Sequence, residues 1–566
     1  MKKIAFLLSF LCYSSIYATH NRAGEITYRH ISAYTYEISV ITYTKESSTL
    51  ADKCQLTVKF GDGDSAVFNR LNGPLSATLC GGTIPIGEQL GNDIKKNIYR
   101  GTHTFPGPGS YVIRMEDPNR NSKICNFSGA ASDQISFFLR TELLINPTLP
   151  PNNSPVLLNA PIDNGCVGEC FEHNPGAFDA DGDSLAYKLV PCYGNGVPIP
   201  TFQFPDGLNE HSIDAKGDIK WCSPTQICQY NIAILIEEWC LFQGKRYKVG
   251  SVLRDMQIDI GSCQNNAPTI KNIRDTSVVV NEQLNFDVVA EDVNANKLSL
   301  TATGGPFQLL PKSTFTSSDS VKTVKGTFTW KPDCSEVQLL PYQVCFKVSD
   351  NASSQVLAGY ETMTIRVVAP APQVTVSPFL NTMRVNWLPT ICNDTIGKNR
   401  LEAYEIYRAD SCNSWKHLQG ETGVPVSSGY HYIASVPFSK VSYTDVGLTI
   451  GKYYSYVVVA RYINGARSLA SDGVCSLITG LKEIKEQLNI TLSPNPNKGT
   501  FLLKSDAYSN SNIDVTVGNQ WGQLLYTEHL FLPGNGKEFF LNLPAGTYTL
   551  RVTNEKGYSV LKFIVQ

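Results

Sequence analysis

Asp179, Asp181 and Asp183 alternate around Gly182 in the stretch AFDADGDSLAY. Alternate carboxylates beside a glycine can turn several hard oxygens toward one cation, the coordination that calcium takes. A complete twelve-residue calcium loop would close on a glutamate, and Val190 holds that place. The same residues also suit a solvated acidic β-turn, and both readings stay open. Glu169, Glu172, Glu237 and Glu238 are further candidate ligands that spacing alone does not place. Glu237 and Glu238 end an alternating run, in which neighbours face opposite ways. They are therefore expected as solvated strand-end charges rather than as an acid–base pair.

Other chemistry finds little support. The eight histidines are scattered, none forms HExxH or HxH, and no G-x-S-x-G or phosphate loop occurs. His103 and Asp62 read as a strand histidine and a turn carboxylate. Tyr193, Trp239, Phe242, Trp415 and Tyr430 could stack on sugars, although edge packing of a β-fold accounts for them better. The expectation is a protein that is not an enzyme. No CxxC pair points to zinc. Of sixteen cysteines only Cys12 lies in the apolar leader, which leaves an odd number in the rest of the chain. In an oxidising compartment they should form disulfides. Cys334 with Cys345 and Cys392 with Cys412 are the pairs expected from local spacing. The seven from Cys166 to Cys263 cannot be connected in this way.

The elements that must position these residues are strands. Charged residues make up 17% and aromatics 10%, with 27 Tyr, 43 Gly and 31 Pro, and long amphipathic helical patterns are nearly absent. The chain is too long for one core, and its composition reads as an all-β extracellular array. A net charge of −2 gives no reason to expect a nucleic-acid partner. No stretch approaches the roughly 20 apolar residues of a transmembrane helix.

Two segments repeat one pattern. Asn153-Ser154-Pro155 opens the first and Asn266-Ala267-Pro268 the second, and 26 residues after each Asn comes an acidic turn. Asp179 then aligns with Asp292, Asp181 with Asn294 and Asp183 with Asn296. Each segment continues into a strand ending at Trp221 or Trp330 and closes with an alternating run, YNIAILIEEW or YQVCFKVSDN. Tandem β-sandwiches are the natural architecture. They resemble the cadherin-like and bacterial immunoglobulin-like domains of surface proteins, a resemblance that implies calcium held at a junction between domains. The second copy, which lacks two of the charges, should bind a cation far more weakly.

Ahead of the repeats, Val58-Lys59-Phe60-Gly61-Asp62-Gly63, Gly101-Thr102-His103-Thr104-Phe105 and GSYVI resemble a PKD-type immunoglobulin-like domain. The run HTFPGPGSYVIRMEDPNRN, with WCSPTQ and VLRDMQI further on, resembles surface proteins associated with gliding motility in Bacteroidetes. Beyond the repeats, Val385-Asn386-Trp387, Tyr404 to Arg408 and Tyr454 to Val458 resemble a fibronectin type III module, with Tyr454 as its corner tyrosine.

The two ends read as export signals. Met1-Lys2-Lys3, an apolar core and a small residue at Ala18 suit a signal peptide cleaved before Thr19. Leu11 before Cys12 argues against a lipid anchor. At the other end Pro494, Asn495, Pro496, Gly499, Gly522, Leu543, Gly546, Tyr548 and Lys562 resemble the type A C-terminal sorting domain of the type IX secretion system. That resemblance implies the outer-membrane secretion machinery as a partner.

The expected layout is a signal peptide over 1–18, a PKD-like domain over 19–150, repeats over 151–265 and 266–369, and a fibronectin-like module over 370–480. A linker over 481–486 and a sorting domain over 487–566 complete it. The expected product is a secreted or surface-attached adhesin or scaffold that holds a surface polymer, glycan or envelope ligand, with calcium as the one candidate cofactor. A carbohydrate-binding accessory protein is the second reading, and a hydrolase with an unrecognised site the third.

Overall fold

The computed structural model describes residues 21–49, 52–76, 82–129, 131–222, 224–393, 400–479, 489–505, 510–554 and 557–566. The leader with Ala18 and Thr19, and the linker 481–486, lie outside the described residues. These contain strands, short 3-10 turns and loops but no α-helix, and no helix long and apolar enough to cross a membrane. They divide into two compact units. The larger holds those up to Val376 with Val385–Tyr443 and Ser455–Cys475, and the smaller holds Ser377–Arg384, Thr444–Tyr454 and those from Ser476 onward.

In the larger unit the expected boundary at residue 150 disappears. Strand Lys245–Gly261 pairs with Cys228–Phe242 from its own segment, and also with Asn21–Ser32 and Phe137–Ile145 from the N-terminal one. All belong to one twelve-stranded sheet. The ten residues Val249 to Ile258 are all buried, because both faces of this central strand are covered. Arg254 in its middle donates from Nε and Nη2 to Glu25 at 3.1 and 2.9 Å, with both side chains inaccessible to solvent. The next residue, Asp255, accepts two bonds from buried Arg120 at 2.8 and 2.6 Å. One hydrophobic core accordingly joins Ala23, Tyr43 and Ile94 to Leu157, Trp221 and Ile258. Residues 21–263 are one interwoven body rather than two successive domains.

The internal repeat is present in the topology. In the second copy Thr269–Lys271 pairs antiparallel with Leu284–Glu291, and Thr276–Val279 pairs parallel with Ala358–Val368. In the first copy Val156–Leu157 pairs antiparallel with Ala177–Phe178, and Asn164–Cys166 pairs parallel with Lys245–Gly261. Trp221 and Trp330 each fill the core of their copy at about 1% exposure. The second copy is a two-sheet sandwich of four and five strands. In the fibronectin-like region Leu401–Ala409 pairs with His431–Pro437, and Trp387 packs on Tyr404 at 5.3 Å. Within the smaller unit, the Tyr454 hydroxyl accepts from the Thr449 N–H at 3.2 Å, as the corner assignment expects. Residues 489–566 form sheets of three and four strands around Phe501, Val515, Leu550 and Phe563.

The disulfides correct the local pairing. Cys334 bonds Cys392 and Cys412 bonds Cys475. Cys345 is a buried free thiol, as are Cys192 and Cys240. Cys345 lies within strand Tyr342–Asp350, where its sulfur accepts from Asn159 of the first repeat. Its side chain therefore points away from the loop that carries Cys334. Cys125–Cys228, Cys166–Cys263 and Cys170–Cys222 close the first body, and Cys54 is also disulfide-bonded.

Candidate functional site

The acidic turn follows strand Ala177–Phe178 and leads into Ser184–Val190. Asp179 Oδ1 accepts the Asp183 N–H at 2.8 Å and closes the turn. Gly182 sits at φ +79°, a conformation that strains other residues. Asp181 Oδ2 accepts the Asn153 N–H and side-chain amide at 2.6 and 2.9 Å. This bond anchors the Asn-Ser-Pro landmark to the turn.

The residue that completes the centre is Glu238. Its strand pairs with Ser184–Val190, and a register shift falls between Glu238 and Trp239. Such a bulge re-aims a side chain. Glu238 faces Gly250, where a Cβ would stand 2.8 Å from Glu238 Oε2 and 2.3 Å from the Tyr28 hydroxyl. The missing side chain makes room for the carboxylate, which is fully buried. The expectation of a solvated strand-end charge is thus corrected. Oxygens of Asp179, Asp183 and Glu238 lie within 4.8 Å of one another. Asn152 Nδ2 donates to Glu238 Oε2 at 2.7 Å, while Glu238 Oε1 and Asp179 Oδ2 are buried without a hydrogen-bond partner.

Burial pushes the Asp179 carboxyl above its ordinary value and the Glu238 carboxyl well above it, where repulsion from Asp179 also acts. Burial, followed by the neighbouring Asp183 charge, pushes the Cys240 thiol up to about 12. Oxygens crowded in this way can share a proton or surround a cation. Carboxylates with no imidazole among them suit a hard divalent ion such as calcium. Of the expected set, Asp179 and Asp183 meet, and Asp181 lies beside them in its bond to Asn153. Among the other candidates, Glu237 pairs with Lys188 and Lys248, Glu172 with Lys220, and Glu169 accepts from Asn266.

The second copy repeats the same scaffold with amides. Asp292 Oδ1 accepts the Asn296 N–H at 3.1 Å, and Asn294 Oδ1 accepts the Asn266 N–H at 2.8 Å. Asp350 stands where Glu238 does, and Asn265 Nδ2 donates to it at 2.5 Å. Asn265 in turn accepts from Asn296 Nδ2 at 2.8 Å. Amide donors thus occupy the space that carboxylates fill in the first copy. The signal for Glu238 and Asn152 was present in the sequence. Extending the repeat alignment by a few positions matches them with Asp350 and Asn265.

The second metal-like grouping, Asp62, Asp64 and His103, is bonded as a turn. His103 Nε2 meets Asp62 Oδ2 at 2.6 Å and its ring stacks on Phe60 at 3.8 Å. Against a desolvation that would raise it, the His103 bond holds Asp62 below its ordinary value. The aromatic candidates are divided. Tyr193 packs on Phe138, and Trp415 meets Tyr430 edge-on, whereas Trp239 and Phe242 line a cleft beside the acidic turn.

In the smaller unit the expected sorting residues act as fasteners. Asn495 Nδ2 donates to the Lys562 carbonyl at 2.8 Å and its Oδ1 accepts the Ile564 N–H at 2.9 Å, so the turn is tied to the final strand. Gly499, at φ +84°, leaves no room for a Cβ, which would stand 2.2 Å from the Leu541 carbonyl oxygen. Gly522 completes the turn that Asn519 Oδ1 caps. The Tyr548 hydroxyl donates to the Pro544 carbonyl at 2.7 Å on the strand that Gly546 opens, and Lys562 pairs with Thr549 on the neighbouring one.

Residues 491–566 match the family of secretion system C-terminal sorting domains. The protein is a secreted or cell-surface protein, handled by the type IX machinery. The chain is also similar to domains A168–A170 of titin, with 12% identity over 57% of this chain and 97% of that one and a TM-score of 0.19. A second similar structure is the three-domain fragment FN1–FN3 of chicken CNTN1, with 13% identity over 53% and 99% of the chains and a TM-score of 0.20. No curated protein matches the chain.

Proposed function

We propose that the protein is a non-catalytic adhesin or scaffold, carried outside the cell by its sorting domain and acting in surface attachment or gliding. The observation that carries this reading is how firmly the modules of the larger unit are locked together. Asp163 of the first repeat accepts from Lys347 and Tyr360 of the second, and Gln355 reaches back to the Gly165 carbonyl at 2.8 Å. Cys334–Cys392 then bonds the second repeat covalently to the fibronectin-like region. A stiff array suits the bearing of load and the presentation of a surface.

Calcium has its place in the same reading. Bound by Asp179, Asp183 and Glu238, it would neutralise a buried cluster of like charge and stiffen the first repeat. Producer cells that lack the protein are expected to attach more weakly to a solid surface, and purified protein added back to restore attachment. Unchanged attachment in the deletion contradicts the reading.

A further inference from the structure

Beside the acidic turn lies a cleft of about 1040 Å³ whose walls come from the first repeat, the second repeat and the fibronectin-like region. We propose that this cleft binds a short, extended segment of another protein that combines apolar and basic side chains. The inference rests on the reading of the body as a binding protein and names the chemistry of its partner.

Three properties of the cleft support it. The cleft is preformed. Its rim carries the Cys334–Cys392 disulfide, and Asn464 Nδ2 ties one wall to another by donating to the Val337 carbonyl at 2.8 Å. A site that need not be ordered on binding retains more of its contact energy. The walls are also apolar and open to solvent. Leu241 is 47% exposed, Leu339 38% and Ile463 47%, and they line the cleft together with half-buried Trp239. Apolar side chains gathered from three modules on one concave surface mark a recognition site.

The third property is charge. Asp181, Asp333 and Glu402 line the cleft; Arg461 pairs with Glu402 at 3.3 Å and Arg246 also lines the cleft, which leaves one carboxylate charge in excess. None of these carboxylates belongs to the Asp179–Asp183–Glu238 triad, so the cleft is acidic whether or not a cation is held there. A lysine or arginine can lay its methylenes along leucine and isoleucine while its head meets a carboxylate. An acidic polymer is repelled by the same charges. A neutral saccharide would find Trp239, Phe242 and several polar side chains in the lining, but it would leave the exposed Leu241, Leu339 and Ile463 and the acidic groups without complement, so the lining favours a peptide.

The test uses the purified full-length protein and fluorescence anisotropy, with a labelled peptide of alternating leucine and lysine. A leucine–glutamate peptide and maltoheptaose serve as alternative probes. Saturable binding of the leucine–lysine peptide is expected, weaker at high salt. Ile463→Lys and Leu339→Lys, at exposed lining positions from two different modules, should each weaken it roughly tenfold and improve binding of the leucine–glutamate peptide. Unchanged thermal unfolding of both variants confirms that they fold. Equal affinity for the two peptides, preference for maltoheptaose, or indifference to both substitutions overturns the proposal. If neither peptide binds while added protein still restores cell attachment, this inference falls and the attachment reading stands.

Discussion

Glu238→Gln should make the protein more stable where a buried carboxylate would ordinarily be the better residue. Glu238 Oε1 and Asp179 Oδ2 are buried with no hydrogen-bond partner. Burial raises both groups, Glu238 further, so the folded chain retains a proton that the unfolded chain releases above about pH 4.5. The sign follows from that difference. Stability is full below the unfolded carboxylate range and falls as pH rises through the folded values. A glutamine removes one charge and brings an amide donor to the cluster. The relief of an unsatisfied buried polar group is about 1–3 kcal/mol. For a body of this size that corresponds to a rise in unfolding temperature of roughly 2–12 °C. Scanning calorimetry of the full-length protein in chelator, at about pH 5 and about pH 8, reads it directly. The wild type should unfold at lower temperature at the higher pH, and Glu238→Gln should remove most of that difference. Calcium at a hundredfold excess over its dissociation constant should stabilise the wild type by about 2.7 kcal/mol and the variant far less. A wild-type transition indifferent to pH, or a variant less stable at the higher pH, would refute the reasoning.

Glu25→Ala leaves Arg254 buried without a carboxylate, its remaining bond being to the Asn159 carbonyl, and should cost about 3–5 kcal/mol in denaturant unfolding; residues 21–150 expressed alone should give no cooperative transition. Cys392→Ser opens a loop closed across 58 residues and should cost roughly 4 kcal/mol, read from the shift in the denaturant midpoint under oxidising conditions. Asn495→Ala removes both bonds to the final strand and should destabilise the C-terminal domain by about 1–3 kcal/mol, with a matching fall in protein recovered outside the cell.

Much of the local structure was legible in the chain. The alternation in YNIAILIEEW and YQVCFKVSDN marks real strands, and the aligned landmarks from Asn153 and Asn266 mark two copies with the same pairings. What stayed hidden depended on distant partners. Lys245–Gly261 falls within the segment assigned to the first repeat, and period-two patterning says nothing about which strands lie beside it. Its partners Asn21–Ser32 and Phe137–Ile145 are more than a hundred residues away. Glu238 was misplaced for a similar reason. A strand-end glutamate looks solvated until a bulge and Gly250 turn it inward. The cysteines show the same limit, since Cys345 is near Cys334 in sequence but faces Asn159 of another module.

The central claim is that this exported body holds a partner and does not turn one over. Full-length protein on beads, presented with cell envelopes and isolated envelope polymers in calcium and in chelator, tests it most directly. The account predicts retention of the beads that is stronger in calcium, with the bound polymer recovered at its original chain length. Beads that fail to hold any envelope component, or a polymer released in shortened form, would contradict it.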